Sequence, residues 1–155
     1  MELSNSKQEY LKTLYLLSNS GKKIRVTDIA NRLKITKPSV NNALKELEKL
    51  NYVEYAAYKE IKLTKSGEIE AKKIIKKYDL LKLFLEEVLK IDEENASIEA
   101  DNLKHAISKN TYEKLEEYVD EILNLKDIEL CYNENNEKCK RCKKYNYKMK
   151  KLKEE

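Results

Sequence analysis

The chain has 155 residues, room for one domain or two small ones, and 32 basic against 28 acidic side chains give it a net charge of +4. One proline and two glycines, set among many Lys, Glu, Leu and Ile, predict a mainly α-helical protein. No run of about eighteen apolar residues occurs, M-E-L-S-N-S lacks the charged-then-apolar order of an export signal, and three clustered cysteines do not make a disulfide framework, so the expectation is a cytoplasmic protein.

In chain order, Ser4, Asn5 or Ser6 caps a first helix to about Ser18, with Tyr10, Leu11, Leu14 and Leu17 as its buried stripe. A turn from Ser18 to Lys23 and a brief extended piece from Ile24 to Val26 lead to V-T-D-I-A-N-R-L. There Thr27 is the expected N-cap of a short helix burying Ile29, Ala30 and Leu33. Lys34 to Thr36 is the turn. The next helix, K-P-S-V-N-N-A-L-K-E-L-E-K-L, opens at Thr36 or Lys37 with Pro38 in its first turn, where the missing N–H costs nothing. Val40, Ala43, Leu44, Leu47 and Leu50 follow the spacing of one buried stripe.

That spacing turns Lys37, Ser39, Asn41, Asn42 and Lys45 outward. Asparagine hydrogen-bonds base edges, serine reaches phosphate or base, and lysine meets phosphate or guanine, so this is the chemistry of a DNA-recognition helix. Arg25, Thr27, Thr36 and Pro38, at the starts of the two helices, complete the candidate set. The bland alternative is a solvated amphipathic helix.

Tyr52 to Tyr55 and Glu60 to Leu63 alternate and are joined by A-A-Y-K, which predicts a β-hairpin. Helix, helix-turn-helix and hairpin together are the winged-helix order, with Tyr58 and Lys59 at the tip as further DNA-binding candidates. Thr64 then opens a helix expected to run unbroken to about Leu89. Its apolar set, Ile69, Ile74, Ile75, Tyr78, Leu81, Phe84, Leu85 and Val88, is wider than one seam requires, so it is expected to meet a second chain as well as its own. Helices from about Glu94 to Ile107 and from Thr111 to about Leu123 follow, the last with Asn110 and Glu113 as capping box. The expected architecture is a winged helix-turn-helix domain over 1–64, a helical dimerisation domain over 65–125, and a basic cysteine-containing tail over 126–155. A homodimer of this kind would place two recognition helices about one DNA turn apart, on a pseudo-palindromic operator.

The tail carries Cys131, Cys139 and Cys142 in the pattern C-x7-C-x2-C. The two-residue gap lets two thiolates approach one ion, and the flanking basic residues favour the thiolate form. Zinc with a fourth ligand from elsewhere, or an iron–sulfur cluster, fits this pattern; three reduced thiols on a basic tail fit it too. Tyr145 and Tyr147, interleaved with lysines, suit phosphate or base contact, or simply a solvated helical end.

Over about Ser4 to Leu123 the chain resembles the diphtheria-toxin-repressor-like and manganese-transport-regulator-like metalloregulators, closest to the shorter members without an SH3-like third domain. E-Y-L-K-T-L-Y-L-L, R-V-T-D-I-A-N-R-L, K-P-S-V-N-N-A-L-K-E-L, L-T-K-S-G, K-Y-D-L-L-K-L-F-L and D-N-L-K-H-A-I-S carry the likeness in order and spacing. The resemblance implies a homodimeric transcriptional repressor in which Mn²⁺ or Fe²⁺, held by carboxylates and histidines, joins helix one to the dimerisation helices. The family's paired acids of helix one align with Glu9 and Lys12, its long-helix histidine with Tyr78, and its acid, acid, histidine run with Asp101, Lys104 and His105. A lysine ammonium is a donor and a tyrosine phenol a poor substitute for imidazole, so only Glu9, Asp101 and His105 survive as ligands. Either these three and water hold a metal weakly, or Lys12 and Lys104 supply the positive charge and salt bridges replace the ion.

No phosphate-binding glycine loop and no nucleophile–base pair is present, and there is a single histidine, so an enzyme is not expected. The two functions carried forward are a DNA-binding repressor, metal- or redox-controlled through the cysteines, and a winged-helix module that binds protein instead of DNA.

Overall fold

Apolar spacing and a few capping side chains set the elements of the computed structural model, which describes residues 3–55 and 60–123. The chain divides into two units, Met1–Ile74 and Ile75–Glu155, the division falling within the longest helix.

The first unit opens with α1 (Asn5–Ser18), whose buried residues are Tyr10, Leu11, Thr13, Leu14 and Tyr15. Leu17, expected in the stripe, is only half-buried, and Tyr15 takes its place in the core. α2 (Val26–Leu33) begins two residues earlier than Thr27 would allow as its cap. Arg25 is the N-cap, and the Asp28 carboxylate reaches back to accept the Arg25 backbone N–H at 2.9 Å. An acid in the first turn satisfies the orphan donor, so Thr27 has no capping role. Lys34 closes the helix in the left-handed region, φ 54°. α3 (Lys37–Lys49) is capped as expected by Thr36, whose hydroxyl accepts from the Ser39 N–H, with Pro38 in the first turn.

Antiparallel β1 (Val53–Glu54) and β2 (Lys62–Leu63) pair Val53 with Leu63 and Glu54 with Lys62. The hairpin exists, with paired strands shorter than the alternation suggests. Tyr58 and Lys59 lie outside the described residues. Leu11, Leu14, Ile29, Val40, Leu44 and Leu47 have no solvent exposure. Burying each such side chain contributes on the order of 1.5–3 kcal/mol before the entropy of ordering is counted.

Thr64 caps α4 (Lys65–Leu83) by accepting the Gly67 N–H at 3.0 Å. The glycine is obligatory because a Cβ there would stand 2.0 Å from the Tyr52 carbonyl oxygen, which already accepts the Thr64 N–H. The helix does not stay regular to Leu89. Phe84–Val88 forms a π-helical turn, with the Leu89 N–H bonded to the Phe84 carbonyl and Lys90 at φ 59°.

In the second unit Asp92 caps α5 (Glu93–Ala106), and Ser108, not Asn110, caps α6 (Lys109–Ile122) by accepting the Thr111 N–H at 3.2 Å. Ser108 stands three residues before Thr111, which puts its oxygen over the first free N–H; Asn110 is already inside the helix. Two apolar clusters hold the unit together. Leu80, Leu83 and Val119 form one; Leu81, Leu85, Ala96 and Ala100 form the other. Lys76 pairs with Glu116 at 2.9 Å, and Lys77 donates to the Ile107 carbonyl at 2.8 Å, closing the end of α5.

Candidate nucleic-acid interface

α3 has two faces. Val40, Leu44 and Leu47 are fully buried, whereas Lys37, Pro38, Ser39, Asn42 and Lys45 are exposed and Asn41 is half-buried. From Lys37 to Lys45 the helix carries no acid. Its acids come later and are engaged: Glu46 pairs with Lys7 at 3.0 Å, and Glu48 accepts the Tyr55 backbone N–H at 3.1 Å. The half of the helix nearest its positive dipole end is therefore neutral or basic, the polarity a phosphate backbone requires. Thr36 and Ser39 share that end, their hydroxyls 2.9 Å apart.

Arg25 is exposed at the start of α2, while Thr27 is half-buried in its first turn. Arg25 also lines an open cleft of about 810 Å³ together with Lys22, Lys23, Asp28 and Arg32. Lys22, Lys23 and Arg32 were not singled out by periodicity, which ranks buried positions; the signal for Lys22 and Lys23 is the basic run K-K-I-R, and Arg32 lies outside it. Tyr55 was missed too. Its hydroxyl donates to Asn41 Oδ1 at 2.9 Å, a pairing across 14 positions that only the hairpin creates.

A helix-turn-helix with a hairpin behind it, followed by a separate helical unit, defines a winged-helix DNA-binding regulator. Residues 2–61 match the iron dependent repressor N-terminal DNA binding domain, and residues 64–124 match the metal binding and dimerisation domain of the same family. The chain belongs to the iron dependent repressor family, whose members are transcriptional regulators. It is 40% identical over 119 residues to an uncharacterised HTH-type transcriptional regulator of Methanocaldococcus jannaschii, covering 76% of this chain and 95% of that one. It is 28% identical over 114 residues to the HTH-type transcriptional regulator MntR of Bacillus subtilis, covering 74% and 80%. Among solved structures, the manganese regulator SloR superposes with a TM-score of 0.67 at 27% identity, covering 87% of this chain. This chain spans 64% of the SloR chain's length.

The family's second domain binds metal, so the residues here can be tested for fit. In α1, Glu9 pairs with Lys12 at 3.6 Å. In the second unit Lys104 is 1% exposed, hydrogen-bonded to the Asp101 carboxylate, with its ammonium 5.8 Å from the centre of the Tyr78 ring. His105, next along α5, is half-buried. Among the described residues no group of three or more His, Cys, Asp or Glu converges to hold an ion. A divalent cation beside Asp101 would face the buried Lys104 ammonium at short range, where like charges repel strongly. The described residues therefore do not fit a metal at this place. Cys131, Cys139 and Cys142 lie outside the described residues. No described helix is long and apolar enough to cross a membrane.

Proposed function

We propose that this chain is a cytoplasmic, non-enzymatic, homodimeric repressor that reads a pseudo-palindromic operator with α3. Asn41, Asn42 and Lys45 face base edges and phosphates, Lys37, Pro38 and Ser39 approach from the helix start, and Arg25, Thr27, Thr36, Tyr58 and Lys59 contact the backbone. Residues 1–64 serve DNA binding, 65–125 dimerisation and 126–155 form a basic tail. The observation that carries the reading is the acid-free outward face of α3 from Lys37 to Lys45, opposite the buried Val40, Leu44 and Leu47. A protein-docking surface needs aromatic or aliphatic anchors, and this face offers lysine and asparagine instead.

The test is selection of duplexes from a randomised pool, followed by gel shifts. Asn41→Ala or Lys45→Ala is expected to weaken binding by about 10- to 100-fold or about 3- to 10-fold respectively, with the dimer intact. No duplex selected, with or without Mn²⁺, would leave the DNA reading without support.

In this reading the family's metal control is replaced. Lys104 brings a positive charge to Asp101, and Lys12 does the same for Glu9, so salt bridges stand where an ion would. Added Mn²⁺ or a chelator is then expected to leave Tm and duplex affinity unchanged; a rise in Tm with Mn²⁺ would restore Glu9, Asp101 and His105 as ligands. Sensing passes to Cys131, Cys139 and Cys142, which hold Zn²⁺ or an iron–sulfur cluster. Elemental analysis of anaerobically purified protein is expected to find zinc or iron, lost in Cys139→Ser/Cys142→Ser. Metal content indifferent to that double change would remove the cysteine site.

A further inference from the structure

The base of the hairpin is tied twice to the recognition helix through one residue. Tyr55, immediately after β1, donates its backbone N–H to Glu48 at 3.1 Å and its hydroxyl to Asn41 Oδ1 at 2.9 Å. Asn41 and Glu48 are seven positions apart, so both attachments fall on one stripe of α3, two turns from each other. The first attachment fixes where the tyrosine starts. The second fixes the asparagine.

A primary carboxamide has one acceptor oxygen and an NH₂ group with two donors. The phenol donates its hydrogen to Oδ1, and in this orientation the Nδ2 group is directed away from Tyr55. The flanking positions on that stripe, Lys37 and Lys45, lie one turn before and after Asn41, and both are exposed. Asn41 is thus a half-buried, oriented donor in the middle of the acid-free face.

We propose that Tyr55 is a positioning residue for DNA recognition: it holds Asn41 so that Nδ2 donates to a hydrogen-bond acceptor of the duplex. The inference rests on α3 being the DNA-reading helix. Its chemistry is selective, because purine N7, guanine O6, thymine O4 and phosphate oxygens accept a hydrogen bond while the cytosine amino group does not. With Oδ1 occupied by Tyr55, the end of the amide that Asn41 presents is its donor, which favours acceptors.

The experiment uses the full chain and the duplexes it selects from a randomised pool. Affinities are measured by fluorescence anisotropy at one salt concentration for wild type, Tyr55→Phe, Asn41→Ala and the double variant. Tyr55→Phe removes one oxygen and is expected to leave Tm unchanged while weakening binding by about 2- to 10-fold, and to have no further effect in the Asn41→Ala background. If the acceptor is on a base, both single variants lose preference at the same base pair of the selected site; if it is a phosphate, they weaken binding to every duplex alike. The Asn41 side-chain amide signal in a ¹H–¹⁵N spectrum of the DNA-free protein is expected to move on Tyr55→Phe. An unmoved signal, unchanged affinity, or an equal loss in the Asn41→Ala background overturns the inference while leaving DNA binding in place. A wild-type protein that selects no duplex removes the DNA reading itself, a separate result.

Discussion

Among the described residues of the first unit, Leu11, Leu14, Ile29, Val40, Leu44 and Leu47 are sealed from solvent, Thr13 is the one buried polar side chain outside the aromatic core, and Ile69 is the one large apolar side chain left exposed. In the second unit the buried set includes the charged Lys104, while Leu89, Ile98, Leu103, Tyr118 and Ile122 are 40–56% exposed. The head closes its own core; the second unit keeps apolar surface outside and a charge inside. These exposed residues lie in the part of the chain that matches the family's dimerisation domain, where a second chain would cover such apolar surface. Tyr118 and Ile122, four apart on α6, form one such stripe.

Opening the sealed head is the most damaging change. Gly67→Ala drives a Cβ into the Tyr52 carbonyl, and is expected to cost about 3 kcal/mol, read by urea denaturation of the first unit's signal. If the variant is as stable as wild type, the head is less closely packed than described. Next, Tyr118→Ser with Ile122→Ser is expected to weaken self-association by about 2–3 kcal/mol while leaving the head folded, as seen by sedimentation and circular dichroism. An unaffected dimer would assign that face to solvent. Thr36→Ala removes the α3 cap and is expected to cost about 1 kcal/mol, with a matching loss of duplex affinity.

The smallest effect is a pH dependence of the second unit. The Asn95 side-chain and backbone N–H groups both donate to Asp92, and these bonds hold its carboxyl below the ordinary carboxylate value. Because the folded value is the lower one, this contribution is complete above the unfolded value and fades as pH falls through the folded one, below about pH 4. The Tm difference between wild type and Asp92→Ala is expected to narrow over that range; a constant difference would show that the cap acts without its charge.

Most of the architecture was legible in the sequence because its signals are local. Val40, Ala43, Leu44 and Leu47, the Thr36 cap and Pro38 appear where periodicity and cap chemistry place them, while Leu50, expected in the same stripe, is half-buried as the C-cap. Caps went wrong where a neighbour competed: Asp28 serves the α2 start in place of Thr27, and Ser108 pre-empts Asn110. The π-helical turn after α4 has no composition signal, since Phe84 to Val88 reads as ordinary helix; Leu85 and Phe84 pack in the cluster with Ala96 and Ala100. The tie between Tyr55 and Asn41 was out of reach for a different reason: it depends on a hairpin folding back, not on spacing along the chain. The proximity of Lys104 and Asp101 follows from their separation of three, but its near-complete burial comes from packing that no local pattern reports.

An ammonium built into α5 differs from a captured ion in one respect that packing alone does not reveal. Its nitrogen is present once per chain by translation, so it meets no competition among metals and no depletion under scarcity. Whatever arrangement it supports is available from the moment the helix forms, and adjusting it requires a change in the gene rather than in the medium.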